Sequence, residues 1–202
     1  MGPFVDWRAA RADCRGGPWR FVLRKYLKDY IFLFSVAGAI IVVDQVTKAL
    51  VRSNLAVGEV WAPWPWLIPY ARLVHWTNTG AAFGMFQQMG GLFTILAFIV
   101  SLAILYYFPQ VPARDWPLRL ALAMQLGGAV GNLIDRLTIG SVVDFISVGN
   151  FAVFNVADAS ISIGAAVLVL AMWIRERGER SSGDGPQEAP SVRGESADFR
   201  SE

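Results

Sequence analysis

Residues 90–108, "GGLFTILAFIVSLAILYYF", carry no charged side chain. As a helix rising ~1.5 Å per residue, the stretch matches a bilayer core of about 30 Å. It therefore reads as a transmembrane span, and it sets the class of the whole chain. Working outward, three more apolar segments have similar length. The first runs from Tyr30 to about Val51, uncharged over Tyr30–Val43 and then interrupted by Asp44 and Lys48. Another covers about Leu118 to Leu137, with Asp135 and Arg136 at its end. The last is about Phe154–Ile174, with Asp158 near its start. The sequence thus predicts an all-α membrane protein with four transmembrane helices.

Composition agrees. The 202 residues are 54% hydrophobic and 17% charged, with mean hydropathy +0.42, whereas soluble domains carry about 25% charge. Net charge is +2, and no Lys/Arg run interleaves with aromatics as a strand-binding groove requires, so no nucleic-acid partner is expected. Cys14 is the only cysteine and excludes an internal disulfide. No apolar run precedes it, so it is not a lipid-attachment site.

Orientation follows the flanking Lys and Arg residues. Residues 1–28 hold Arg8, Arg11, Arg15, Arg20, Arg24, Lys25 and Lys28; the 109–119 connection holds Arg114 and Arg119; Arg175, Arg177 and Arg180 follow the last span. On the other side, the first loop holds Arg52 and Arg72, and residues 138–153 hold none. Both termini are expected in the cytoplasm, with loops 52–89 and 138–153 outside. The chain then divides into a basic N-terminal extension (1–28), a four-helix core (29–174) and a disordered cytoplasmic tail (175–202) rich in Ser, Gly, Glu and Pro. A cleavable signal peptide is the alternative for the first span, but Asp44 and Lys48 are poor residues for its end.

Polar residues at membrane depth usually pair or line a cavity. Asp44 and Lys48 are four apart and share a helix face, either as a helix-end ion pair or as a pair that also braces a site. In "GGAVGNLIDR" (127–136), Gly128, Asn132 and Arg136 climb one face beside Asp135, and the glycines permit close helix packing. In "FNVADA" (154–159), Asn155 can cap the fourth helix, with Asp158 closing a capping box. That leaves Asp144 unexplained, in the apolar connection "SVVDFISVGNFAVF" (141–154), which reads as extended with a turn near Gly149–Asn150. Folded back, this connection brings Asp144 to Asp158. Two carboxylates in contact share a proton, and such a pair can activate water and protonate a scissile amide. His75 is the only histidine, so a three-His zinc site is impossible; it reads as an interfacial residue. H-E-x-x-H and G-x-S-x-G are absent.

Together, "DQVTK" (44–48), "NTGAAFG" (78–84), "GGAVGNLIDR", "VVDF" (142–145) and "FNVADA" resemble, in order, the boxes of the lipoprotein signal peptidases, also called signal peptidase II. The resemblance covers about residues 30–174. It implies a bacterial inner-membrane aspartic endopeptidase without cofactor or metal, inhibited by globomycin. Its substrates would be prolipoproteins carrying a diacylglyceryl group, cut just before the lipidated cysteine. Asp144 and Asp158 would be catalytic, with the active site at the outer face. Asn132, Arg136 and Asn155 would support the site or contact substrate, and Asp44, Lys48, Asn78, Gly128 and Asp135 would support it. A small sheet in the first outer loop would cradle substrate, with Trp61, Trp64, Trp66 and Trp76 at the level of the phospholipid headgroups. The alternative is a small proton- or ion-coupled transporter, which would spread polar residues through the membrane depth.

Overall fold

The computed structural model describes residues 18–80 and 89–183. Cys14, the basic segment before Pro18, residues 81–84 of the "NTGAAFG" box and the tail beyond 183 lie outside the described residues. Four long helices dominate: α1 (Pro18–Asn54), α2 (Gly90–Tyr107), α3 (Trp116–Ile139) and α4 (Val156–Gly183). Two boundaries differ from expectation. α1 begins within the segment read as an extension, because Pro18 suits a helix start and no further Gly or Pro interrupts the chain before Gly38. α4 continues into the segment read as a disordered tail, where its Arg and Glu residues propagate a helix well.

Three of these helices contain stretches long and apolar enough to cross a membrane: Tyr26–Asn54, Gly90–Gln110 and Val156–Arg177. α2 exposes Leu92, Ile95, Leu96, Phe98, Ile99 and Leu102, a surface suited to lipid rather than water. α3 is different. It is the helix on which the other three pack, most extensively α4 and α1. Apart from Leu126, its buried positions are therefore small or polar, among them Ala121, Ala123, Gly127, Gly128, Ala129, Gly131, Asn132 and Asp135. The packing is tight at the glycines. A Cβ at Gly127 would stand 3.0 Å from the Ala37 carbonyl oxygen, and one at Gly128 would strike the Ala157 carbonyl oxygen and lie 2.7 Å from Ile161.

Beyond one end of the bundle lies an antiparallel sheet of β1 (Val60–Trp61), β2 (Ala71–Asn78) and β3 (Val142–Val148), in that order. A β element is expected in the first outer loop, and the 141–154 connection reads as extended. That connection supplies the third strand, which pairs with β2 and so joins the two outer loops in one sheet. The register places Trp76 opposite Asp144 and Asn78 opposite Val142. Gly149, at φ +53°, turns the chain after β3, and Phe154 returns to pair with Ile146. Trp61, Trp64, Trp66 and Trp76 are each more than half exposed. His75 is buried rather than interfacial: its Nδ1–H donates to the Leu55 carbonyl (2.8 Å), tying β2 to the end of α1.

Near the opposite ends of α1 and α3, Arg119 pairs with Asp29 at 2.7 Å. Its guanidinium also lies over the Phe108 ring, 4.5 Å from the centroid. Both partners are buried. Sequence reading missed this pair, because Asp29 and Arg119 sit in different segments with no shared motif.

Candidate active site

The site begins with a lysine that water cannot reach. Lys48 is fully buried in α1. Its ammonium reaches Asp44 one turn back at 2.8 Å, Asp135 of α3 at 2.9 Å and the Asn132 side-chain oxygen at 2.9 Å. An ammonium has three protons, so all are used. Asp44 and Asp135 are also fully buried, and each carboxylate accepts a backbone N–H as well. Asp44 takes that of Ala157 (2.9 Å) at the start of α4, and Asp135 takes that of Val143 (3.2 Å) in β3. The cation that Asp135 meets is thus Lys48 of α1, not its chain neighbour Arg136.

Asn132 passes the network onward. Its side-chain amide donates to Asp158 at 2.8 Å. Asn155 is the junction. Its backbone N–H donates to Asp158 (3.3 Å), and its side-chain oxygen accepts the Asp158 N–H (2.9 Å). Its side-chain amide donates to Asp144 at 2.7 Å. Asn78 donates to the other Asp144 oxygen at 3.0 Å. Asp144 and Asp158 thus share Asn155 as a common donor. Asp144 is buried, and that burial, followed by the negative charge of Asp158, pushes its carboxyl up to about 7.

Both acids line a cavity of about 460 Å³ with Asn78, Asn132 and Arg136; most of the rest of its wall is apolar, including Phe93, Phe154 and Ile161. Arg136 lies with its guanidinium 5.8 Å from the Phe93 ring centroid. Gly128 lies outside the hydrogen-bond network, at the α3–α4 crossing. A carboxyl that keeps its proton to about pH 7, facing one supplied with N–H donors, can both give and take a proton.

Gln45 was missed. Its side-chain amide donates to Asp135 (3.0 Å), the Gly131 carbonyl (3.1 Å) and Asp44 (3.2 Å). The available signal was a neutral polar residue at membrane depth inside "DQVTK".

Apolar helices around a largely apolar cavity that carries two acids at one end define a class: a multi-pass membrane protein with a pair of carboxylates in its pocket. Sequence comparison is more specific. The family model for signal peptidase (SPase) II matches residues 36–174, and the chain belongs to that family of membrane peptidases. It is 39% identical over 157 residues to a lipoprotein signal peptidase of Hydrogenovibrio crunogenus, covering 73% of this chain and 88% of that one. It is 40% identical over 148 residues to one of Halalkalibacterium halodurans, covering 71% and 93%. A bacterial membrane enzyme solved by the in meso method at 2.3 Å superposes with a TM-score of 0.66 at 27% identity, covering 78% of this chain and 93% of that one. The transporter alternative is not favoured.

Proposed function

We propose that the protein removes signal peptides from diacylglyceryl-modified prolipoproteins, cutting before the lipidated cysteine, with Asp144 and Asp158 as the catalytic pair. The observation that carries this reading is the Asn155 bridge: one residue donates to both carboxylates at the wall of one cavity.

In this reading water lies between the two acids. One carboxylate removes its proton while the carboxyl of the other protonates the scissile carbonyl oxygen. The resulting tetrahedral diol collapses as a proton passes to the departing amine, and the pair regains its single shared proton. The pair holds one shared proton, which the burial of Asp144 and the neighbouring charge of Asp158 let it keep to about pH 7. Asn132, Asn155 and Asn78 aim the carboxylates. The Asp44–Lys48–Asp135 triad holds the strands and helices that carry them.

All four helices span the bilayer in this reading, because α3 needs no lipid-facing surface when three neighbours enclose it. The Lys/Arg asymmetry puts both termini in the cytoplasm and the pair at the outer face, with residues 29–174 as the peptidase core. The apolar cavity wall takes the diacylglyceryl chains, and the exposed tryptophans meet phospholipid headgroups. The test is cleavage of a lipidated prolipoprotein by the purified protein, with and without globomycin. Absence of cleavage, or cleavage indifferent to lipidation, would overturn the reading.

A further inference from the structure

We propose that Gln45 is a positioning residue of the peptidase, tying the Asp44 and Asp135 carboxylates together and so fixing the spacing of Asp144 and Asp158. This rests on the reading of Asp144 and Asp158 as the catalytic pair.

The argument follows the hydrogen bonds. Asp44 accepts the N–H of Ala157, the residue before Asp158. Asp135 accepts the N–H of Val143, the residue before Asp144. The two buried acids thus hold the backbone of the two catalytic ones. They belong to different helices, α1 and α3, and both face one ammonium. Two carboxylates on one cation repel each other, and Lys48 has no fourth proton to add. The two neutral N–H groups of the Gln45 amide reach both carboxylates, at 3.2 and 3.0 Å, and the Gly131 carbonyl at 3.1 Å, so one N–H is shared between two acceptors. Gln45 keeps the two holders at a set separation without changing the charge of the cluster. A shift of about 1 Å between reacting groups can cost roughly 10²-fold in rate, so this link reaches chemistry it does not touch.

Gln45→Met keeps the length and loses the donors. It should lower kcat about 10- to 100-fold with KM within about twofold, because the cavity wall is untouched. It should also move the alkaline limb of the pH profile acidward, since carboxylates that drift apart hold a shared proton less well. Gln45→Glu is the second variant, read if the methionine form accumulates poorly. Its carboxyl can donate one bond when protonated and none when ionised, so its activity relative to wild type should fall as pH rises. Wild-type kcat and pH profile per folded molecule in either variant would overturn the proposal, even with a lowered Tm, since packing alone would then explain Gln45. Asp144→Asn and Asp158→Asn are assayed alongside. Near-wild-type turnover in either removes the catalytic reading itself, and because it shows in different variants the two failures are told apart.

Discussion

Asn155 and Asp158 satisfy each other: each accepts the backbone N–H of the other in its side chain, at 2.9 and 3.3 Å. This is a capping box built from Asn and Asp. It occupies the Asn155 side-chain oxygen and leaves its amide to reach Asp144 at 2.7 Å. The capping and functional readings of "FNVADA" are therefore not rivals. The helix cap is what aims Asn155 at the second acid.

The catalytic assignment is tested by Asn replacements, which keep the shape of a carboxyl and cannot exchange its proton. Asp144→Asn and Asp158→Asn should each lower cleavage of lipidated prolipoprotein by at least about 10²–10⁴-fold. The double variant should be hardly worse than either, because the two act as a unit. Single-turnover cleavage by purified, folded protein is the measurement.

The pH dependence has a definite sign. With the Asp144 carboxyl raised to about 7 by burial and by Asp158, kcat/KM should fall as pH rises through about 7, with the apparent value belonging to the pair. Stability follows the same group. The native state binds this proton more tightly than the unfolded chain, whose Asp titrates near ~4. Its contribution to stability is thus fully present below about 4 and lost as pH rises to about 7. Asp144→Asn should gain in Tm relative to wild type between pH 5 and 8, as thermal unfolding in detergent would record; no relative gain would count against the raised carboxyl.

Breaking the buried triad should be costly and unequal. Lys48→Met leaves Asp44 and Asp135 without a cation and should destabilise by about 3–5 kcal/mol. Asp44→Asn leaves Lys48 paired with Asp135 and should cost less. Replacing Asp44 and Lys48 together still strands Asp135, so recovery should need Asp135→Asn as well. Detergent-resistant Tm across the series separates these cases.

Gly128→Ala puts a methyl group against the Ala157 carbonyl and Ile161. Overpacking of this kind costs typically about 1–3 kcal/mol. Because Ala157 precedes Asp158, activity should fall with stability. An alanine variant with unchanged Tm and turnover would mean that α3 and α4 separate freely there.

Topology can be read with reporters. A fusion after Pro112 should report cytoplasm, and one within 146–152 the outside. The reverse would place the acids on the wrong side of the membrane for this substrate.

The sequence by itself determined the apolar helices, because a bilayer requires long uncharged runs and a helix satisfies its own backbone. It also determined which polar residues to examine, since each is costly at membrane depth, and the capping geometry of Asn155 and Asp158, which is local. Tertiary structure decided what no local rule contains. Lys48 has a helix neighbour four residues away that the sequence names, but its second acid, Asp135, comes from α3. Gln45 reads as a bystander until α1 and α3 are packed. The third strand lies far along the chain from its partner, and Asn78 meets Asp144 only through that pairing. Arg119 and Asp29 met for the same reason. Periodicity and capping act over a few residues, whereas the partner of a buried charge is set by which helices the glycines of α3 allow to come close.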